Sequence, residues 1–119
     1  MNLVRVLKAV SDDTRIRIIN LLRFESLCVC EIEYTLNISQ SNASRHLSKL
    51  MYSDLVSFKK EDKFVYYNLN ETEFKLFEGL FLDFDKEEIL KKDLDALNKY
   101  KISNLTCKDI KGDDNFEES

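Results

Sequence analysis

The sequence has no proline, two glycines, one histidine and three cysteines in 119 residues. So little glycine and proline excludes collagen-like, proline-rich and flexible low-complexity chains. Those residues also punctuate strands, so their scarcity argues against an all-β sandwich and for a mainly helical protein. No apolar run approaches the ~20 residues needed to cross a bilayer. The start, Met1-Asn2-Leu3-Val4-Arg5, has no signal-peptide core behind it, so the expectation is a soluble, cytoplasmic protein with no membrane partner. Three cysteines cannot form a closed disulfide set, and a reducing cytosol keeps them as thiols. A single histidine, with no glycine-rich phosphate loop and no Ser-His-Asp constellation, argues against an enzyme. The length fits one domain of roughly 100–150 residues, short enough for a partner subunit to supply part of its core.

What is present is a succession of helical stripes. Leu3, Val4, Val6, Leu7 and Val10 form a short one, broken by Arg5 and Lys8. Ser11-Asp12-Asp13-Thr14 reads as the start of a second helix, with small polar caps and acids near the positive end of the dipole. Ile16, Ile18, Ile19, Leu21 and Leu22 make that helix central. A short helix is expected from about Val29 to Leu36, with Ile32 and Leu36 four apart on one face. Asn37-Ile38-Ser39 is a tight polar turn, and Ser39 caps a helix from Gln40 to about Tyr52 with Ala43, Leu47 and Leu50 inward. Two short helices joined by such a turn make a helix-turn-helix. Leu55–Lys59 and Phe64–Leu69 read as strands around a charged loop, Lys60–Lys63. The expected fold is therefore mainly α with a small β-hairpin, a winged helix-turn-helix.

From Glu71 the helical period returns through Phe74, Phe77, Leu80 and Phe81, then Ile89, Leu90, Leu94 and Leu97. This is more apolar surface than a domain this small needs for itself, and a homodimer built through the terminal helices uses it. Residues 1–101 are read as the winged-helix and dimerisation domain, and 102–119 as an acidic, flexible tail.

The formal charge of -4 argues, for the whole chain, against a nucleic-acid partner. Divided, it tells the opposite. Residues 1–67 hold 10 basic and 8 acidic residues, a net of +2, and residues 68–119 hold 8 and 14, a net of -6. On the second helix of the motif Gln40, Ser41, Asn42, Ser44, Arg45, His46, Ser48 and Lys49 are polar. Amides, hydroxyls and an arginine near a helix N-terminus suit phosphates and major-groove base edges. Lys59, Lys60 and Lys63 at the hairpin tip suit backbone or minor-groove contact. A solvated helix face beside an ordinary charged turn is the plainer alternative. His46 is read as a DNA-contacting or helix-packing residue rather than a ligand.

At this point the residues resemble a known family. Leu7-Lys8-Ala9-Val10-Ser11-Asp12-Asp13-Thr14-Arg15-Ile16-Arg17-Ile18 looks like the opening helices of the ArsR/SmtB metalloregulatory repressors. Leu27-Cys28-Val29-Cys30-Glu31-Ile32 is similar to that family's arsenic-sensing box. Ser39-Gln40-Ser41-Asn42-Ala43-Ser44-Arg45-His46-Leu47 resembles its recognition helix, and Val65-Tyr66-Tyr67-Asn68-Leu69 its wing. The resemblance spans Leu3 to Leu69. It implies a homodimeric repressor that binds operator DNA when empty and leaves it when a thiophilic ion binds, with arsenite or antimonite as effector and no permanently bound cofactor. The chain departs from the family's pattern at four places. Asp13 and Ser41 stand where proline is usual, both compatible with helix initiation. Asp62 stands at the wing tip where glycine is common, and aspartate tolerates left-handed backbone better than most residues. Glu33 takes the place of a third cysteine found in some relatives. The family's alternative zinc site, built on C-terminal histidines, is not expected, since His46 is the single histidine.

Cys28 and Cys30 are the expected ligands, with Cys107 as a third thiolate or a stray thiol in the tail. Soft thiolates select soft ions, and two adjacent cysteines fall short of the four ligands of a structural zinc. On a regular helix residues two apart point to nearly opposite sides, since each step turns about 100°. Closing both sulfurs on one ion is therefore expected to distort the first turn and misplace the recognition helix, a coupling of about 1–3 kcal/mol. Simple packing beside Leu27, Val29 and Ile32 is the bland reading of the pair. Two other functions stay open: a repressor whose thiols answer to oxidant, and a winged-helix interaction module that does not touch DNA.

Overall fold

The computed structural model describes residues 3–75, 77–79 and 86–103. Its elements are α1 (Leu3–Val10), α2 (Asp13–Leu22), β1 (Leu27–Cys28), α3 (Val29–Leu36), α4 (Gln40–Tyr52), β2 (Val56–Glu61), β3 (Phe64–Leu69), α5 (Glu71–Lys75) and α6 (Glu88–Ile102). Each boundary of the motif has a local cause. The Asp12 side chain accepts from the Arg15 amide and opens α2, and the Ser39 hydroxyl accepts from the Asn42 amide and opens α4. Such caps satisfy amides that a helix start leaves without partners. Asn37 ends α3 in the left-handed conformation, φ 57°, which asparagine tolerates with less strain than most residues.

The main core cluster fully encloses Ile18, Ile19, Leu21, Leu27, Ile32, Leu47 and Leu50. α2 lies at its centre, as its run of isoleucines and leucines predicts. The sheet is antiparallel with order β1-β3-β2. Its third strand is the element not foreseen: two residues, with Leu27 opposite Tyr67 and Cys28 opposite Tyr66. A two-residue strand carries no periodicity, and only pairing with the wing creates it. The wing loop is also shorter than expected. Lys60 and Glu61 belong to β2, opposite Val65 and Phe64, which leaves Asp62 and Lys63 to turn the chain. Asp62 has φ 55°, the conformation for which the family's glycine serves.

α6 is fastened by polar groups as well as apolar ones. Arg17 donates twice to the Asp93 carboxylate, at 2.8 and 2.9 Å, and once to the Leu36 carbonyl at 3.3 Å. Asn20 donates to the Leu90 carbonyl at 3.2 Å, and Lys101 pairs with Glu25 at 2.9 Å. The bidentate bond to Asp93 raises the Arg17 pKa above its usual value, against the opposing effect of burial. Leu90, Leu97 and Tyr100 bury their side chains against the body, and Phe77 joins the core. Leu80, Phe81, Cys107 and the rest of the acidic tail lie outside the described residues. Among the described residues no helix is long and apolar enough to cross a membrane.

Candidate nucleic-acid interface and cysteine site

α4 divides cleanly into two faces. Ala43, Leu47 and Leu50 are buried, while Gln40, Ser41, Arg45, Ser48 and Lys49 are exposed and Asn42 and Ser44 half-buried. The Arg45 guanidinium donates to Asn42 Oδ1 at 2.8 Å, so a donor fork and an amide stand side by side on the outer face. These are the side chains that read base edges and grip phosphates. On the wing Lys59, Lys60 and Lys63 are all exposed, and Lys59 has Glu61 at 3.9 Å.

His46 departs from this surface. It is 7% exposed and points inward, its Nδ1 3.1 Å from the Arg15 guanidinium and 3.8 Å from the Asp12 carboxylate. Arg15 in turn donates to the Ala9 carbonyl at 2.6 Å. The imidazole therefore packs α4 onto α2 and, through Arg15, onto α1, the second of the two roles its sequence allowed, and does not stand on the outer face. Burial lowers its pKa, and the cations Arg15, Arg45 and Lys49 act in the same direction against the Asp12 charge.

Sequence reasoning passed over one flank. A cleft of about 380 Å³ between α1 and α4 is lined by Arg5, Lys8, Arg15, Ser48, Lys49 and Tyr52, with the Arg5 guanidinium 4.3 Å over the Tyr52 ring. Arg5 and Lys8 sit three apart, the spacing that puts two side chains on one face of a helix, and that signal was available in the sequence.

The cysteine pair lies at the other end of the motif. Cys28 ends β1 and is the N-cap of α3 in extended backbone, φ -84° and ψ 165°, while Cys30 is the second helical residue. The expectation of opposed side chains assumed that both were helical. Because Cys28 is not, the two Sγ atoms meet at 3.0 Å with no unwinding of the helix. Both residues are 2% exposed, with Phe64 and Tyr66 of the wing packed against them. The Cys28 amide donates to Glu31 Oε1 at 3.0 Å, so α3 is capped from within by its own third residue. Glu31 Oε2 accepts from the Tyr100 hydroxyl at 2.6 Å. Chemically this is a pair of soft sulfurs at the positive end of a helix dipole. Among the described residues no cluster of three or more His, Cys, Asp or Glu is gathered to hold a metal ion.

Residues 12–57 match the model of the arsR family of bacterial regulatory proteins. The chain is also 40% identical, over 84 residues, to the cadmium resistance transcriptional regulatory protein CadC homolog of Staphylococcus aureus, covering 69% of each protein. The chain belongs to the ArsR family. This ArsR-family member is a DNA-binding transcriptional regulator and not an enzyme. It is 39% identical over 66 residues to the arsenic resistance transcriptional regulator ArsR1 of Pseudomonas putida, spanning 55% of this chain and about half (52%) of that protein. In structure it is similar to Mb0332 from Mycobacterium bovis, a homodimeric winged helix-turn-helix DNA-binding domain and possible ArsR-family regulator. The TM-score is 0.64 at 27% identity, covering 70% of this chain and 78% of that one.

Proposed function

We propose that this ArsR-family regulator is a cytoplasmic repressor that holds double-stranded operator DNA as a homodimer and leaves it when arsenite or antimonite binds Cys28 and Cys30. The observation that carries the reading is the contact of the two Sγ atoms at 3.0 Å, at the joint between α3 and the wing. Soft sulfur donors favour a thiophilic ion. A tetrahedral ion asks for four ligands, whereas arsenite and antimonite are held by two or three thiolates in the family this chain resembles. Cys107 supplies the third where three are used, and residues 102–119 act as the tail that carries it. Exposed Leu3, Val4 and Leu7 on α1 and exposed Ile89 and Ile102 on α6 offer apolar surface for a second subunit. The Mycobacterium bovis relative is described as homodimeric.

The local structure gives the sulfurs leverage over the DNA-reading parts. Phe64 and Tyr66 cover them, so the wing strand moves aside before anything reaches the pair. Cys28 stands opposite Tyr66 in the antiparallel register, so a change in its backbone is passed directly to β3. The outer face of α4 carries base contacts through Asn42 and Arg45, and Lys59, Lys60 and Lys63 carry phosphate contacts.

The same contact favours a second reading, a repressor released by oxidant. Two thiols in contact close to a disulfide by giving two electrons and two protons to hydrogen peroxide, which becomes two waters. Operator binding titrated with arsenite and, separately, with peroxide tests both. Release of the wild type by arsenite, and its loss in Cys28→Ser, is the expected result. Release by peroxide alone would replace the first reading with the second, and wild-type operator binding indifferent to both would overturn each.

A further inference from the structure

Glu31 is a buried carboxylate with one oxygen on each of two distant elements. Oε1 holds the Cys28 amide at 3.0 Å, and Oε2 holds the hydroxyl of Tyr100, 69 residues on from Glu31, at 2.6 Å. Glu31 is 7% and Tyr100 2% exposed. The Tyr100 ring also stacks, tilted, on Tyr34 of α3 with centroids 5.7 Å apart. Further up α6, Asp93 and the Leu90 carbonyl are held by Arg17 and Asn20 of α2. The C-terminal end of α6 is thus referred to the start of α3 through one side chain, while its middle is referred to α2.

The geometry points to Glu31 as a positioning residue that couples the cysteine pair to α6. A charge-assisted hydrogen bond is strong and directional, and a buried carboxylate that loses one of its donors has no water to replace it. Any displacement of the Cys28 backbone, which its neighbouring sulfur contact controls, therefore shifts the carboxylate and with it Tyr100. The state of the dithiol is read at two places: at the wing through the Cys28–Tyr66 pairing, and at α6 through Glu31. The functional consequence, that effector binding alters the helix offered to a second subunit, rests on the reading proposed above. The mechanical link does not.

Amide hydrogen exchange on the full-length protein separates the two. In the absence of any ion, Tyr100→Phe keeps the ring and removes the hydroxyl. The link predicts that exchange at the Cys28 amide speeds up by a factor of about 5 or more, within the usual range of coupling between sites. Glu31→Gln is expected to loosen both ends, the Cys28 amide and the amides of residues 98–102. A purely local helix cap would leave α6 untouched by Glu31→Gln and Cys28 untouched by Tyr100→Phe, and either result overturns the proposal. With arsenite added, the wild type should show faster exchange in residues 98–102, and Tyr100→Phe should bind arsenite yet lose that response. If the ion-free arm succeeds while arsenite leaves wild-type operator binding unchanged, the link stands and the effector reading falls.

Discussion

The two helices of the motif begin in different ways, and under the proposed function the difference separates reading DNA from sensing a signal. α4 is capped from outside by Ser39, whose hydroxyl touches only the neighbouring turn. Its inner face is anchored by Leu47, Leu50 and His46, so the outer face is a fixed template. α3 is capped from within by Glu31, and the residue at its cap position is Cys28. That start is paired in register with the wing on one side and hydrogen-bonded to α6 on the other. A helix start that is self-contained holds its shape whatever happens elsewhere. One stitched to two other elements transmits any change, and the sulfurs are found at that end.

The largest effect should come from breaking what holds α6 in place. Arg17→Ala strips the buried Asp93 carboxylate of both its guanidinium bonds, and unfolding in urea should show a loss of about 3–5 kcal/mol. A loss under 1 kcal/mol would mean that α6 is not a fixed reference for the sensing end. Next, Arg45→Ala should weaken specific operator binding by about 1–3 kcal/mol and leave stability unchanged. An equal loss of stability would blur the division between template and sensor.

The third prediction concerns pH and the anchor of the template. Burial lowers the His46 pKa below 6.5 in the folded chain, so the unfolded chain takes up the proton first. The stability this neutral ring contributes is complete above pH 6.5 and is lost as pH falls through that value toward the lower folded pKa. Urea titrations between pH 5 and 8 (a range set by the ordinary histidine pKa of about 6.5) should show that slope, and His46→Gln should flatten it. A slope that survives the substitution would remove His46 from this role. The smallest effect is at the wing tip. Asp62 has φ 55°, and Asp62→Gly should stabilise by up to about 1 kcal/mol, read as a raised Tm with operator affinity unchanged.

Much of the fold was legible because its signals are local. The caps Asp12 and Ser39, the inward stripe Ala43, Leu47 and Leu50, and the left-handed tolerance of Asp62 are each decided within a few residues of sequence. The outer face of α4 was legible for the same reason. What could not be read depends on contacts between elements far apart in the chain. β1 exists because Leu27 and Cys28 meet Tyr67 and Tyr66, and that pairing takes Cys28 out of the helix and lets the sulfurs meet. The sequence leaves His46 between a DNA contact and a helix-packing role, and Arg15 and Asp12, far away in the chain, decide it by turning the ring inward. The bond from Tyr100 to Glu31 has no sequence signature, since a tyrosine near the end of an amphipathic helix is unremarkable by itself.

The central claim is that Cys28 and Cys30 act together as the effector site. X-ray absorption at the arsenic edge, on the Cys107→Ser protein treated with arsenite, tests it most directly. The account predicts at least two sulfur neighbours around each arsenic, lost when Cys28→Ser and Cys30→Ser are introduced together. Arsenic surrounded by oxygen alone in the Cys107→Ser protein would contradict it.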